Sequence, residues 1–284
     1  MRTKQNSGFT LVELVMVIIL LGIVGGILAP MIAQSAKAFS DTELRTELTS
    51  KGRLALERLA RTARQAVPNS MRTIDSGQGV EFVRSRAGGR YVTKTDVFDF
   101  TTVFLDKDKR FKKNSSLDEG LYKVGTDLKF KTGDLLIIAN TSPNDLTAAK
   151  PTVVALTGTD DTLFSITDGV DDGTDKGQIL AFASHKFPND SSGKHFAIAD
   201  NVVEVGLDGT TIRWYESPNQ MNDYDNGTDY SNGDPILVDT VSSLNFDYSA
   251  GTASTNAILR IALTLTDGDE SIDLYQEVHI KNTP

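Results

Sequence analysis

The chain has 284 residues, 39% hydrophobic and 24% charged, with 23 Gly and 8 Pro. These values sit close to the globular average and exclude wholesale disorder and a collagen-like repeat. It has no cysteine, which excludes a disulfide scaffold, thiolate metal sites and a cysteine nucleophile, and its net charge is −9.

Residues 1–8 carry Arg2 and Lys4 as their only charges, and residues 9–33 carry only Glu13. As a helix, the second stretch spans about 37 Å, enough to cross a hydrocarbon core of about 30 Å. A secretory signal peptide accounts for the basic start and for the small-x-small form of Ala36-Lys37-Ala38. It does not account for an apolar run much longer than the usual ~7–15 residues. A plain membrane anchor accounts for the length, with Arg2 and Lys4 holding the N-terminus in the cytoplasm and the rest outside. Glu13 then either snorkels to the headgroups or costs roughly 2.5–3.5 kcal/mol at the bilayer centre. A third reading gives Glu13 a use. A cut between Gly8 and Phe9 creates an α-ammonium on Phe9, four residues before the acid. The two charges can pair one turn apart on one helix, or between two parallel helices staggered along their axes.

Gly8-Phe9-Thr10-Leu11-Val12-Glu13, followed by some twenty apolar residues, resembles the class III leader of type IV pilins and pseudopilins. The resemblance implies that a prepilin peptidase cuts after Gly8 and methylates Phe9. It implies that Glu13 guides the subunit into the filament. It also implies an α+β type IV pilin-like fold, in which a long N-terminal helix packs on an antiparallel β-rich body. Gly22 and Gly26 have the G-x-x-x-G spacing that lets membrane helices approach closely. Pro30 removes a helical N–H and reads as a kink tolerated in a membrane helix, whereas the resemblance implies a weak helical stretch, between the glycines and Pro30, that loosens when the helix packs into a filament.

Residues 34–66 place Leu44, Leu48, Gly52, Ala55, Leu59, Ala63 and Ala66 on one helical face. Asp41→Arg45, Glu47→Lys51 and Glu57→Arg61 set an acid four residues before a base, the favourable order. Pro68 stops the pattern. One helix from Phe9 to Ala66 is therefore expected, roughly 87 Å long if unbroken. Its first half faces lipid or sister helices and its second half packs on the body.

Past residue 70 the helical period gives way to short apolar or alternating runs, at 80–84, 97–104, 121–124, 135–139, 153–156, 162–166 and 178–182. They continue at 196–199, 202–207, 211–215, 244–248, 257–265 and 271–280. Asp208-Gly209 and Asp267-Gly268 each mark a hairpin. Leu259, Ile261, Leu263 and Leu265 alternate with polar or smaller positions, so one face of that strand is buried. Residues 67–284 hold 20 basic and 33 acidic residues, a balance that opposes binding to phosphate backbones, so no nucleic-acid partner is expected. No G-x-S-x-G, H-E-x-x-H or P-loop pattern occurs, and the three His at 185, 195 and 279 are spread. The chain reads as a non-enzyme without a cofactor. The acidic stretches 168–175 and 222–234 offer oxygens to Ca²⁺, but they miss the EF-hand pattern and equally suit solvated turns. Trp214 and Tyr215 suit sugar stacking or strand packing.

The run at 53–72, with Arg58, Arg61, Arg64 and Ala66-Val67-Pro68-Asn69-Ser70, and the closing stretch to Asn282-Thr283-Pro284 resemble the larger minor pilins of mannose-sensitive haemagglutinin (MSHA) pilus biogenesis, the MshO type. They also resemble the J-type pseudopilins of type II secretion. The expected division is a cleaved leader (1–8), a membrane and filament-core helix (9–33), its amphipathic continuation (34–66) and a β-rich extracytoplasmic body (67–284). The resemblance implies a minor pilin that helps start or cap a pilus. Its implied partners are the prepilin peptidase, other major and minor pilins and the inner-membrane assembly platform. The implied location is the bacterial inner membrane, with a single pass and a periplasmic body, and then the pilus. A pseudopilin and a membrane-tethered glycan-binding domain are the alternatives.

Overall fold

In the computed structural model the described residues are 10–92, 99–105, 131–149, 151–156, 179–189, 191, 195–218, 221–252 and 255–281. One helix, α1 (Leu11–Ala63), dominates the N-terminal part and runs about 80 Å. Thr10 caps it in an extended conformation, its hydroxyl accepting the Glu13 N–H at 3.3 Å. Helical backbone continues through Pro30 without interruption.

The helix ends three residues before the expected Ala66. Residues 65–67 instead join the body: Val67 N–H donates to Val83 O at 2.8 Å and Ser85 N–H to Gln65 O at 2.7 Å. The turn at Pro68-Asn69 is then locked from both sides. Asn69 Nδ2 donates to Asn140 O, and Asn140 Nδ2 donates to Pro68 O, each at 2.9 Å. Asn69 sits in the left-handed region with φ 59°, which asparagine tolerates better than most residues.

The body holds two antiparallel sheets. The larger is built from β1 (Arg72–Ile74), β2 (Gly79–Val92), β3 (Asp99–Leu105), β4 (Leu135–Ile138), β5 (Val153–Ala155), β6 (Ile179–Lys186), β7 (His195–Asp208), β8 (Thr211–Pro218) and β9 (Ile236–Val238). Its order is β5-β4-β7-β2-β3-β6, with β1 on β2, β8 on β7 and β9 on β8. The smaller sheet is β10 (Val241–Ser249), β11 (Ala257–Asp267) and β12 (Glu270–Ile280), in that order. The runs at 196–199 and 202–207 form one strand, because β7 pairs with β4 in its first half and with β8 in its second. The expected runs at 121–124 and 162–166 and the acidic stretch 168–175 lie outside the described residues.

Both Asp-Gly signals mark two-residue hairpins, with the aspartate ending the strand and the glycine opening the loop. Asp208 pairs with Thr211 and Asp267 with Glu270, while Gly209 and Gly268 take φ +64° and +57°. Positive φ at the first loop position is what a glycine supplies without strain.

The second half of α1 packs between the two sheets. Leu48, Ala55, Leu56, Leu59, Ala60 and Ala63 share a core with Val80, Phe82, Val203, Val205 and Trp214 of one sheet and Leu259, Ile261, Leu263 and Leu265 of the other. Leu56 and Ala60 widen the expected stripe, and Leu44 is only half-buried. Gly52 lets the helix approach the β11–β12 hairpin closely. A Cβ there would overlap Leu274 Cδ1 and lie 3.0 Å from Leu265 Cδ1. Gly52→Ile is therefore expected to destabilise the protein by about 1–3 kcal/mol, read as a lowered melting midpoint.

Two of the three expected helix pairs form: Glu47–Lys51 at 3.0 Å and Glu57–Arg61 at 3.3 Å. Arg45 reaches the hairpin instead, bonding Glu270, while Lys37 pairs with Asp269 at 3.8 Å. A partner brought in by the fold displaces Asp41 because Glu270 is largely withdrawn from water, where its charge is worth more.

Candidate assembly site

The residues that the sequence points to lie on the first half of α1. Gly8 and Phe9 fall outside the described residues. Glu13 sits in the first turn, where its negative charge complements the helix dipole, and its backbone N–H is held by the Thr10 cap. Thr10-x-x-Glu13 is also a helix-start signature, so the sequence carried a local structural use for this acid beside the two weighed above.

Across residues 11–32 every large apolar side chain is exposed, from 42% at Val17 to 79% at Leu11. The span has a mean hydropathy of 2.8 over its most apolar window, none of it buried, and is long and apolar enough to cross a membrane. A Cβ added at Gly22, Gly25 or Gly26 would meet nothing within 4 Å. Gly22, Gly26 and Pro30 are four residues apart and share a face. Pro30 has no N–H for the Gly26 carbonyl, and Gly26 has no side chain to cover it, while the helix itself runs on through this turn. Among the described residues the body supplies no cover for this surface: its apolar contacts with the helix lie between Leu48 and Ala63, and its ion pairs reach back only to Arg45 and Lys37.

Residues 3–29 match the prokaryotic N-terminal methylation motif. That match supports a type IV pilin-like protein. No curated protein and no solved structure matches the chain. The architecture is nonetheless the α+β, type IV pilin-like one: a long apolar N-terminal helix packed on an antiparallel β body. The methylation motif implies processing by a prepilin peptidase and assembly with pilin subunits, and it supports membrane anchoring and a structural part for the chain.

The rest of the molecule adds no catalytic constellation among the described residues. His185 Nε2 lies 2.9 Å from Pro151 O, and His279 is paired with Glu277 at 3.3 Å. No three His, Asp or Glu side chains converge on a metal position among the described residues. In the 222–234 loop the acids serve the fold: Tyr215 donates to Asp223 at 3.0 Å, and the Asp225 and Asp234 carboxylates accept from their own turns. Trp214 does not offer a sugar-stacking face. It is 4% exposed, its indole N–H donates to Glu216 at 2.8 Å, and the Arg58 guanidinium lies 4.9 Å over its ring. Sequence reasoning missed a buried acidic pair, Glu81 on β2 and Glu204 on β7, both fully buried. Their alternation with Val80, Phe82, Val203 and Val205 reads as a solvent face in the sequence, and among the described residues the 221–230 segment that crosses over them, together with Arg72, makes it an interior.

Proposed function

We propose that the chain is a minor type IV pilin, of the MshO-like kind in MSHA pilus biogenesis, that helps start or cap a pilus. The observation that carries this reading is the methylation motif joined to an apolar helix that the described residues of the body leave uncovered. A surface of this length and hydropathy needs lipid first and sister helices afterwards. On this reading the protein starts in the bacterial inner membrane with one pass, its N-terminus in the cytoplasm and its body in the periplasm, and it then enters the pilus. The body of residues 67–284 is large for a subunit repeated along a whole filament, which favours a low-abundance position. A J-type pseudopilin shares every one of these features. A deletion that abolishes piliation and spares type II secretion supports the pilus reading, and the reverse result replaces it.

Processing gives a direct test. In a host with the peptidase, the membrane-extracted protein should have lost residues 1–8 and gained one methyl group on Phe9, seen in its intact mass. A start at Phe39 would establish an ordinary signal peptide instead. Gly8 presents no side chain at the scissile bond, so Gly8→Leu should leave the precursor uncut.

A further inference from the structure

Glu81 and Glu204 stand directly opposite each other on β2 and β7, which places their Cβ atoms about 4.5–5.5 Å apart on one face of the sheet. That face is turned away from α1 and is covered by residues 221–230. Each glutamate has one oxygen engaged. Glu81 Oε2 accepts from Arg72 Nε, and Glu204 Oε2 accepts the Asp229 N–H at 2.8 Å. The other oxygen of each, Oε1, is buried without a hydrogen-bond partner. Arg72 is the only cation beside the two glutamates among the described residues, and it stacks 4.0 Å from the Tyr224 ring. One positive charge therefore serves two buried carboxyl groups. An unpaired buried carboxylate facing another is among the costliest arrangements in a protein interior.

We infer that Glu81 and Glu204 share one proton, Glu204 donating from Oε1 to Glu81 Oε1, and that this proton latches the 221–230 segment onto the sheet. It satisfies both orphan oxygens at once, leaves Glu81 ionised for Arg72 and keeps Glu204 Oε2 as the acceptor for Asp229. Burial pushes the Glu204 carboxyl up to about 8, opposed by the Asp229 N–H and reinforced by Glu81, Asp229 and Asp225. Burial also raises Glu81, with Arg72 opposing. The remaining groups around the pair are Tyr215 from β8 and Asp223, Tyr224 and Tyr230 from the covering segment. None of them is a cation.

When the proton leaves to solvent base, two carboxylates face each other beneath a segment that carries Asp223, Asp225 and Asp229. The hydrogen bond from Asp229 is then set against this repulsion, and Tyr224, fully buried with its hydroxyl donating to Ser70 O at 2.5 Å, loses its cover. The sign follows from a folded-state value raised above the ordinary carboxyl value of 4.5. The latch is complete below about pH 4.5 and weakens progressively as the pH rises to about 8.

The test is hydrogen exchange of the amides at 224–230 in the full-length protein in detergent, with wild type and Glu204→Gln compared at each pH. Glutamine keeps the shape and can donate to Glu81, but it cannot ionise. Between about pH 6 and about pH 9, wild-type protection is expected to fall at least ten-fold relative to Glu204→Gln. A constant ratio across that range overturns the latch. If Glu204→Gln does not fold, the wild type still decides. A buried carboxylic-acid C=O band present at about pH 6 and lost by about pH 9 supports the shared proton, and its absence at about pH 6 removes it.

Discussion

Glu13→Val is expected to separate membrane insertion from assembly. The variant should be cut after Gly8 and stay in the membrane, because the span becomes more apolar. It should fail to join other pilin subunits and should reduce surface pili to near absence. Its helix start survives, since the Thr10 hydroxyl accepts a backbone N–H that valine also has. The cost to the isolated helix is the lost dipole interaction, about 0.3–1 kcal/mol. A failure of assembly therefore reports on contacts between subunits and not on an unfolded terminus. This expectation rests on the proposed pairing of Glu13 with the α-ammonium of a neighbouring Phe9, which hides two charges that lipid otherwise penalises. Crosslinking or co-purification with other subunits, beside a count of pili, measures it. Normal association with normal piliation would leave Glu13 with only the snorkelling and helix-start uses. Loss of insertion would contradict the argument at its base.

Leu59→Asp carries the largest expected effect on the fold. Leu59 is 1% exposed, in the core that joins α1 to both sheets. Truncation of such a leucine costs about 2–5 kcal/mol by cavity formation alone, and an unpaired buried carboxylate adds to it. That is a large share of the ~5–15 kcal/mol that holds a typical domain together. Leu54, on the same helix but 70% exposed, supplies the control. Leu54→Asp should shift stability by no more than about 0.5 kcal/mol. Thermal or denaturant melting of the two variants in the same detergent separates them. Equal shifts would mean that the helix does not dock by the Leu48–Ala63 face.

The features legible in the sequence are those with a short-range cause. The helix announces itself by a 3.6-residue period and ends near a proline, and its buried face was readable from Leu48, Ala55, Leu59 and Ala63. The two β-hairpins follow from Asp-Gly at fixed positions. The alternation of Leu259, Ile261, Leu263 and Leu265 correctly gives the buried face of β11. The leader, the acid and the apolar span need nothing beyond their own order along the chain. Two short strands, β1 and β9, were not legible. Three residues are too few to show a period, and both exist only because a longer strand beside them offers hydrogen bonds.

By itself the sequence determined an apolar helix bearing one acid, an amphipathic continuation and a β-rich acidic body, because hydrophobic period and turn chemistry act over a few residues. The tertiary structure alone decided what those elements meet. Arg45 leaves its helical neighbour for Glu270, which folds up from 225 residues away. Gly52 is required by the close passage of Leu274. Glu81 and Glu204 lie 123 positions apart in the sequence and become one buried pair only when β2 and β7 align in register and residues 221–230 close over them. Charge burial is a property of everything that surrounds a group, and no local pattern encodes it.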